Sequence, residues 1–248
     1  MELLRYALRR NTLFLSSQPF YRRYPPPSGT RLSWIDARGA VDFEVGFFFS
    51  RVPKSANSFV MQELFKFRST EQEASAMVKK QYVKPSELRA GQLDALDGLF
   101  KFTFIRDPYT RTLSAYLDKI FRRQKPIKSI SRHRVPSFAE FCRYLDNGGL
   151  HENIHWAPQT SILLLPVDKF DHVGRIENMD VDLPHVLGKL RDLTGRTSPA
   201  DFTAADTPAA PHTPQADAAI ASHYDDETTD IVTRLFAEDF RQLGYPRR

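Results

Sequence analysis

The chain has 248 residues, of which 41% are hydrophobic and 26% are charged, a composition typical of a soluble globular protein. Its 35 Lys and Arg residues outnumber 30 Asp and Glu, and the net charge of +5 indicates anionic partners without the charge of a histone-like polycation. The single cysteine, Cys142, excludes an internal disulfide bond and fits a reducing compartment. The chain has no continuous apolar run of about 18 residues, so the sequence predicts no transmembrane helix.

Residues 1–30 are predicted to form an N-terminal arm, and residues 31–248 one larger domain. The boundary lies in the Pro-, Ser- and Gly-rich cluster at positions 24–29. Arginines interrupt the apolar residues of the arm, which makes it a poor secretory signal. We expect the arm to pack on the domain, and peripheral contact with a membrane surface is the alternative.

The first unit that indicates a binding site is a strand, a polar loop and a helix. Residues 45–50 form a short apolar run that predicts a buried strand, and apolar residues from position 59 onwards predict a helix. The loop between them carries Lys54, Ser55, Asn57 and Ser58. A helix N-terminus attracts anions because its first N–H groups lack partners. The Walker A spacing is missing, which argues against a nucleoside triphosphatase, and by itself this loop could be an ordinary surface turn.

A second unit of the same kind covers residues 100–121. Its predicted strand, 100–105, runs into Arg106, and Asp107 is placed to cap the helix that follows. Arg106 could bind a phosphate with two hydrogen bonds, and Ser114 could add a third. The alternative is a local ion pair between Arg106 and Asp107. Ligands of parallel sheets bind at the carboxyl ends of the strands, so the two units predict a ligand with two separated anionic groups.

The remainder of the chain extends the same pattern. We predict an α/β fold with a central parallel β-sheet flanked by helices. The further predicted elements are a helix at 137–145, short strands at 162–165 and 172–174, a helix at 183–193, a long surface loop at 195–219 and a last helix at 225–243.

Residues 51–59 resemble the 5′-phosphosulfate loop of sulfotransferases, and residues 104–116 resemble their 3′-phosphate motif. Residues 153–159 with 170–177, and residues 236–245, are similar to blocks of the carbohydrate sulfotransferases that act on chondroitin, dermatan and related glycans in the Golgi, and of their bacterial counterparts. The resemblance covers about residues 45–245. It implies the P-loop-like sulfotransferase fold.

This resemblance implies that the donor is PAPS (3′-phosphoadenosine 5′-phosphosulfate) and that the acceptor is a hydroxyl of a carbohydrate. Arg106 and Ser114 would bind the 3′-phosphate, and Lys54 would also stabilise the charge that develops on the leaving oxygen. No metal is expected, because a sulfuryl group carries less charge than a phosphoryl group. The residues expected at the 5′-phosphosulfate are Arg51, Lys54, Ser55, Ala56, Asn57, Ser58 and Phe59.

The sequence departs from this family in its N-terminus and its cysteines. We expect the membrane anchor and stem of the Golgi enzymes to be missing, and the sequence contains nearly none of their luminal cysteines. We therefore expect a cytoplasmic, bacterial version of the enzyme. Asn57 also stands where many relatives have a small residue or threonine.

The acceptor hydroxyl must lose a proton, and histidine is the usual base near neutral pH. His155 is the first candidate because it lies in the block that resembles the family. His151 is the second candidate, His133 could contact the acceptor from the basic loop, and Glu63 is a carboxylate alternative.

Two other features of the sequence indicate different functions. Residues 151–155 read H-E-x-x-H, the pattern of a zinc peptidase, with Glu152 as base and Glu177 as a third ligand. Glycines before this stretch and Pro158 after it leave little room for the helix such a site requires. A basic loop at 122–134 could bind RNA, but it lacks interleaved aromatic residues, and it could equally face an acidic glycan or solvent.

Overall fold

The computed structural model describes residues 12–26, 29–68, 81–127, 129–130, 133–195 and 220–248. Within these ranges the strands form one four-stranded sheet, in which strands adjacent in the chain are also adjacent in space. The first two strands form an antiparallel hairpin, and the second, third and fourth are parallel. The strands are β1 (Gly39–Asp42), β2 (Phe47–Ser50), β3 (Phe100–Ile105) and β4 (His172–Arg175). The predicted α/β fold with a largely parallel sheet is confirmed, whereas β1 was not predicted.

Helices precede the sheet and follow each of its parallel strands. Among the described residues, three short ones lie before β1: α1 (Thr12–Ser16), α2 (Pro19–Arg23) and α3 (Leu32–Asp36). Between the parallel strands and after them lie α4 (Asn57–Phe65), α5 (Ala90–Ala95), α6 (Pro108–Tyr116), α7 (Phe138–Asp146), α8 (Met179–Thr194), α9 (Asp226–Leu235) and α10 (Ala237–Leu243). A π-helical turn, Leu117–Phe121, continues α6 without a break.

Alternating phenylalanines give the sheet its two buried faces. Phe47 and Phe49 of β2 lie on one face with Phe102 of β3, while Phe48 lies on the other. The rings of Phe49 and Phe102 stack at 4.7 Å, and α4 and α8 supply apolar side chains to the same core. Each such ring contributes about 1.5–3 kcal/mol by its burial. The result is a rigid pair of central strands, β2 and β3, whose carboxyl ends are fixed relative to each other.

The N-terminal arm packs against the opposite face, over the part of it that the structure describes. Leu15, Phe20 and Tyr21 are buried in the core of that face, and the rings of Phe20 and Phe48 lie 5.8 Å apart. This agrees with the expectation of a packed arm for residues 12–23, whereas residues 1–11 lie outside the described ranges. None of the helices in the described ranges is long and apolar enough to cross a membrane.

Several predicted elements differ in their bounds. Residues 162–165 form a buried turn and not a strand, because their backbone is held by contacts such as the 3.1 Å hydrogen bond from the Leu164 N–H to Ser50 Oγ. The last helix is interrupted at Phe236 and forms α9 and α10, and α8 begins at Met179, before the predicted start. Most of the predicted surface loop, residues 196–219, lies outside the described ranges.

Candidate functional site

The loop that follows β2 has the backbone geometry of an anion-binding loop. Lys54 and Ala56 have φ values of 72° and 49°, in the left-handed region that costs an L-residue about 1–2 kcal/mol. Loops of this kind turn successive N–H groups towards one point and form an anion-binding concavity. Ser55 Oγ is buried there and has no hydrogen-bond partner in the described ranges. The loop therefore combines backbone strain with an unsatisfied polar atom, both of which indicate a ligand.

Lys54 reaches from this loop towards the helix that follows β3. Its Nζ lies 3.0 Å from Oδ2 of Asp118, in the π-helical turn after α6. Burial lowers the pKa of Lys54, and the hydrogen bond to Asp118 opposes that change. The ammonium group is thus held in a fixed direction by a residue that no sequence motif had indicated.

The other residues predicted for this loop mostly contact the surrounding protein. The guanidinium of Arg51 points back into the protein and donates hydrogen bonds to the backbone oxygens of Ala37 and Arg38. Asn57 Nδ2 donates to the carbonyl of Val52 at 3.3 Å, which closes the loop. Ser58 is exposed in the first turn of α4, and Phe59 packs against the sheet core. The structure thus directs the side chain of Arg51 away from the cation of Lys54, although the sequence predicts both at one site.

Arg106, at the end of β3, lies against the same loop. Its guanidinium donates to Thr110 Oγ1 at 3.1 Å and to the carbonyl oxygen of Lys54 at 3.3 Å. The side chain of Gln159 contacts the backbone of Arg106 twice. Its Oε1 accepts from the Arg106 N–H at 2.9 Å, and its Nε2 donates to the Arg106 carbonyl oxygen at 2.7 Å. Asp107 caps α6 by accepting a 2.9 Å hydrogen bond from the Thr110 N–H, which confirms the predicted cap. Burial lowers the pKa of Arg106, and the charges of Glu177 and Asp107 oppose that change.

The two loops open into one cavity of about 220 Å³, which we call the first cavity. Lys54 enters it from the β2 loop, and Arg106 and Ser114 from the second unit. The two loops predicted to bind anions thus lie side by side at the carboxyl ends of β2 and β3, while anion binding itself stays a prediction. The side chains that line the first cavity are Lys54, Arg106, Thr110, Leu113, Ser114, Leu117, Asp118, Arg122 and Ile220.

A buried arginine that sequence reasoning missed fixes the first loop to the central block. Arg111 is fully buried and donates to the carbonyl oxygens of Pro53 at 3.0 Å and Ala157 at 2.8 Å. Its pKa is lowered by burial to about 10, so it stays charged at neutral pH. Asp239 of α10 accepts hydrogen bonds from the N–H groups of Gln159 and Thr160 and anchors the same block. These contacts position Lys54 and Arg106 indirectly.

A second cavity, of about 660 Å³, is lined in part by the π-helical turn that follows α6. Side chains at intervals of four residues, from Thr110 through Ser114 and Asp118, face the first cavity. Lys119, Ile120 and Arg123 face the second. The π-helical turn therefore contributes side chains to both cavities. The side chains that line the second cavity are Lys119, Ile120, Arg123, Lys125, Pro126, Ile127, Ser129, Tyr144, Glu152, Asn153, His155 and Trp156.

His155, the first candidate base, lies in the second cavity. Its Nδ1 is buried with no hydrogen-bond partner in the described ranges. Burial lowers its pKa to about 3, and the positive charges of Lys119, Arg38 and Lys54 add to that effect. The imidazole is therefore neutral at physiological pH, as a proton acceptor must be, and it is surrounded by cations that an anionic ligand would offset.

The remaining base candidates are less well placed. The ring of His151 lies on the arm side, with Nδ1 3.0 Å from Thr30 Oγ1. Glu63 is buried in α4 and accepts a 2.7 Å hydrogen bond from Lys66. His133 is exposed and lines neither cavity.

The zinc alternative finds no support in the geometry. Residues 149–151 form one short 3₁₀ turn, not the long helix that an H-E-x-x-H site requires. Glu152 accepts a 2.7 Å hydrogen bond from Tyr144, and Glu177 accepts from the Asp107 N–H and from Tyr245. Within the described ranges, no three His, Cys, Asp or Glu side chains are grouped as a metal site would need.

Comparison with known proteins gives one family. The family model described as "Sulfotransferase family" matches residues 40–246. Carbohydrate sulfotransferase 14 of Mus musculus is 33% identical over 125 residues, which cover 44% of this chain and 32% of that protein. The Homo sapiens and Danio rerio proteins of the same name are 31% and 29% identical, over 44% and 43% of this chain and 32% and 33% of their own lengths. The match thus spans about a third of these relatives, and no solved structure matches significantly.

The comparisons overturn the predicted cytoplasmic localisation. The relatives are animal proteins named carbohydrate sulfotransferase 14, which are Golgi membrane enzymes. They give no support to a bacterial origin. The reasoning from Cys142 failed because an oxidising compartment permits disulfide bonds without requiring them, so a single cysteine does not indicate the compartment.

Proposed function

Because this chain belongs to the sulfotransferase family, we propose that it transfers the sulfuryl group of PAPS to a hydroxyl of a carbohydrate. One observation carries the proposal. Arg106 donates a hydrogen bond to the backbone of Lys54, so that the two anion-binding motifs share one cavity at the ends of neighbouring parallel strands. A nucleotide with anionic groups at its 3′ and 5′ positions is the ligand that such a pair of motifs suits.

The residues of the first cavity fit this donor. The strained loop at Lys54 and Ala56 and the unsatisfied Ser55 Oγ suit a phosphosulfate, which brings several acceptor oxygens. Two of the five N–H groups of Arg106 donate to Thr110 and Lys54, and the others are available to a phosphate. Ser114 lines the same cavity and can donate its hydroxyl proton. PAPS supplies the activated sulfuryl group, and these side chains bind and orient it.

The transfer itself is a displacement at sulfur. The acceptor oxygen forms a bond to sulfur while the bond from sulfur to the bridging oxygen breaks, and adenosine 3′,5′-bisphosphate leaves. Lys54 stabilises the charge that develops on the bridging oxygen. His155 takes the proton of the acceptor hydroxyl. Its pKa of about 3 is low for that role, and the negative charges of the bound donor raise it by offsetting the cations nearby.

The second cavity is the candidate site for the acceptor. It contains His155, and the buried ring of Trp156 with that of Tyr144 provides the apolar surface on which a sugar ring can pack. Lys119 and Arg123 add positive charge. Relatives named carbohydrate sulfotransferase 14 support a carbohydrate as the acceptor class, and the basic residues favour a carbohydrate with acidic groups.

The proposal is tested by binding and by transfer. Isothermal titration calorimetry with adenosine 3′,5′-bisphosphate and with ATP measures donor recognition, and PAPS labelled with ³⁵S measures transfer to a panel of uronic-acid-containing and neutral oligosaccharides. We expect selective binding of the bisphosphate and labelling of an oligosaccharide. Equal affinity for ATP would contradict a 3′-phosphate site at Arg106. Binding of the bisphosphate without labelling of any sugar would instead contradict the carbohydrate acceptor.

A further inference from the structure

Asp118 connects two lysines that come from different parts of the chain. Its Oδ2 lies 3.0 Å from Lys54 Nζ and 3.0 Å from Lys119 Nζ. The three side chains are 22%, 16% and 20% exposed, respectively, so the cluster is largely shielded from solvent. Ion pairs in such surroundings are screened less by salt than pairs on an open surface.

The cluster has members in the lining of both cavities. Lys54 and Asp118 line the first cavity, whereas Lys119 lines the second. Asp118 and Lys119 are consecutive residues of the π-helical turn. Turns of this type are rare and frequently occur at functional sites. The cluster therefore contributes a charged side chain to each cavity.

The charges of the cluster depend on one another. Partial burial by itself raises the pKa of Asp118, but the hydrogen bonds from Lys54 and Lys119 outweigh it and hold that pKa well below its usual range. Burial lowers the pKa of Lys54, as do the charges of Lys119 and Arg106. Asp118 is the group that counteracts this change. Arg122 lies 3.9 Å from its other oxygen, so without this carboxylate Lys54, Lys119, Arg106 and Arg122 would be left to repel one another.

We propose that Asp118 is a positioning residue for sulfuryl transfer: its carboxylate holds Lys54 towards the first cavity and Lys119 towards the second, so that an ammonium group flanks the transferred group on each side. Lys54 then faces the leaving oxygen, and Lys119 faces the sulfuryl oxygens as they approach the acceptor. This inference rests on the proposed function. It adds two residues, Asp118 and Lys119, to the candidate site.

The experiment compares Asp118→Asn with Asp146→Asn as a matched control. Asp146 pairs with Arg234 on the exposed surface of α7 and lines neither cavity. Steady-state kinetics with PAPS and the labelled acceptor give kcat and KM, and calorimetry gives the affinity for adenosine 3′,5′-bisphosphate. We expect Asp118→Asn to lower kcat about 10²-fold, the usual effect of a misplaced catalytic group, and to change the bisphosphate affinity much less. The melting temperature should fall, because the two lysines lose their shared carboxylate. Asp146→Asn should behave as the wild type.

A double-mutant cycle with Lys119→Met tests the connection directly. If Asp118 acts by holding the lysines, the two changes lower kcat by much less together than the product of their separate effects. A wild-type kcat in Asp118→Asn, or independent effects in the cycle, would overturn the inference. Should Asp118→Asn fold poorly, an unchanged kcat in Lys119→Met alone would overturn it as well. A wild-type protein that neither binds the bisphosphate nor transfers sulfate would refute the proposed function itself.

Discussion

The guanidinium of Arg106 donates a hydrogen bond to the carbonyl oxygen of Lys54 at 3.3 Å, across two strands and more than fifty residues of chain. This contact places the end of the second anion-binding unit against the loop of the first. It also leaves most of the guanidinium donors of Arg106 available to a ligand in the first cavity.

Arg106→Lys should abolish most of the affinity for adenosine 3′,5′-bisphosphate. A lysine keeps the positive charge but loses the planar fork that contacts Thr110, Lys54 and a phosphate together. Isothermal titration calorimetry measures the change. The control is Arg241→Lys, at an exposed ion pair on α10. Wild-type affinity in Arg106→Lys would remove Arg106 from the donor site.

Lys54→Ala should reduce kcat by about 10²–10³-fold, which is the usual cost of removing one donor that stabilises a developing negative charge. Part of the bisphosphate affinity should remain, because Arg106 and Ser114 stay in place. Steady-state transfer from PAPS and calorimetry separate the two effects. Lys189→Ala, at an exposed position of α8, serves as the control. If affinity were lost while kcat stayed constant, Lys54 would act only in binding.

His155→Gln should lower turnover by about 10²–10⁴-fold, the range for a general base, without changing the bisphosphate affinity. His155 lines the second cavity and not the first, which is why donor binding should be spared. Single-turnover transfer assays measure the chemical step. His185→Gln, at an exposed position of α8, is the matched control. Full activity of His155→Gln would assign the base to another residue.

The stability of the protein should fall as the pH is lowered from 6.5 towards 3. Burial and neighbouring cations lower the pKa of His155 from 6.5 to about 3, so in this window the unfolded chain binds a proton that the folded protein does not. The contribution of neutral His155 to the free energy of unfolding is fully present above pH 6.5 and is lost as the pH falls towards 3. Urea denaturation of the wild type and of His155→Gln across this range provides the measurement. A parallel pH dependence of the two proteins would show that His155 is not buried in its neutral form.

Arg111→Met should lower the free energy of unfolding by about 3 kcal/mol or more, because buried carbonyl oxygens that lose their donor cost about 1–3 kcal/mol each. The carbonyls concerned are those of Pro53 and Ala157, so the loop that carries Lys54 should also loosen. Urea denaturation measures the first effect and bisphosphate titration the second. Arg234→Met, which removes an exposed ion pair with Asp146, should change neither. Wild-type stability in Arg111→Met would mean that those carbonyls find other donors.

The two strand-loop-helix units could be predicted from the sequence, because each forms through interactions between residues close together in the chain. An apolar run predicts the strand, and Asp107 before Pro108 starts α6 through a hydrogen bond to a residue only three positions away. The motifs in these units also indicated the family, and the match over residues 40–246 confirms it. Short apolar runs were less reliable: residues 162–165 have the composition of a strand, but periodicity over four residues does not distinguish a strand from a buried turn.

The tertiary structure alone decided which side chains of these motifs face a common cavity. Arg51 and Lys54 are three residues apart in one loop. The guanidinium of Arg51 nevertheless donates to the backbone of Arg38, whereas the ammonium group of Lys54 reaches the first cavity. The partner of Lys54, Asp118, comes from a π-helical turn sixty-four residues later. Such a contact depends on how β2 and β3 pair and on how α6 lies across their ends. Long-range packing sets that arrangement, and no local pattern in the sequence encodes it.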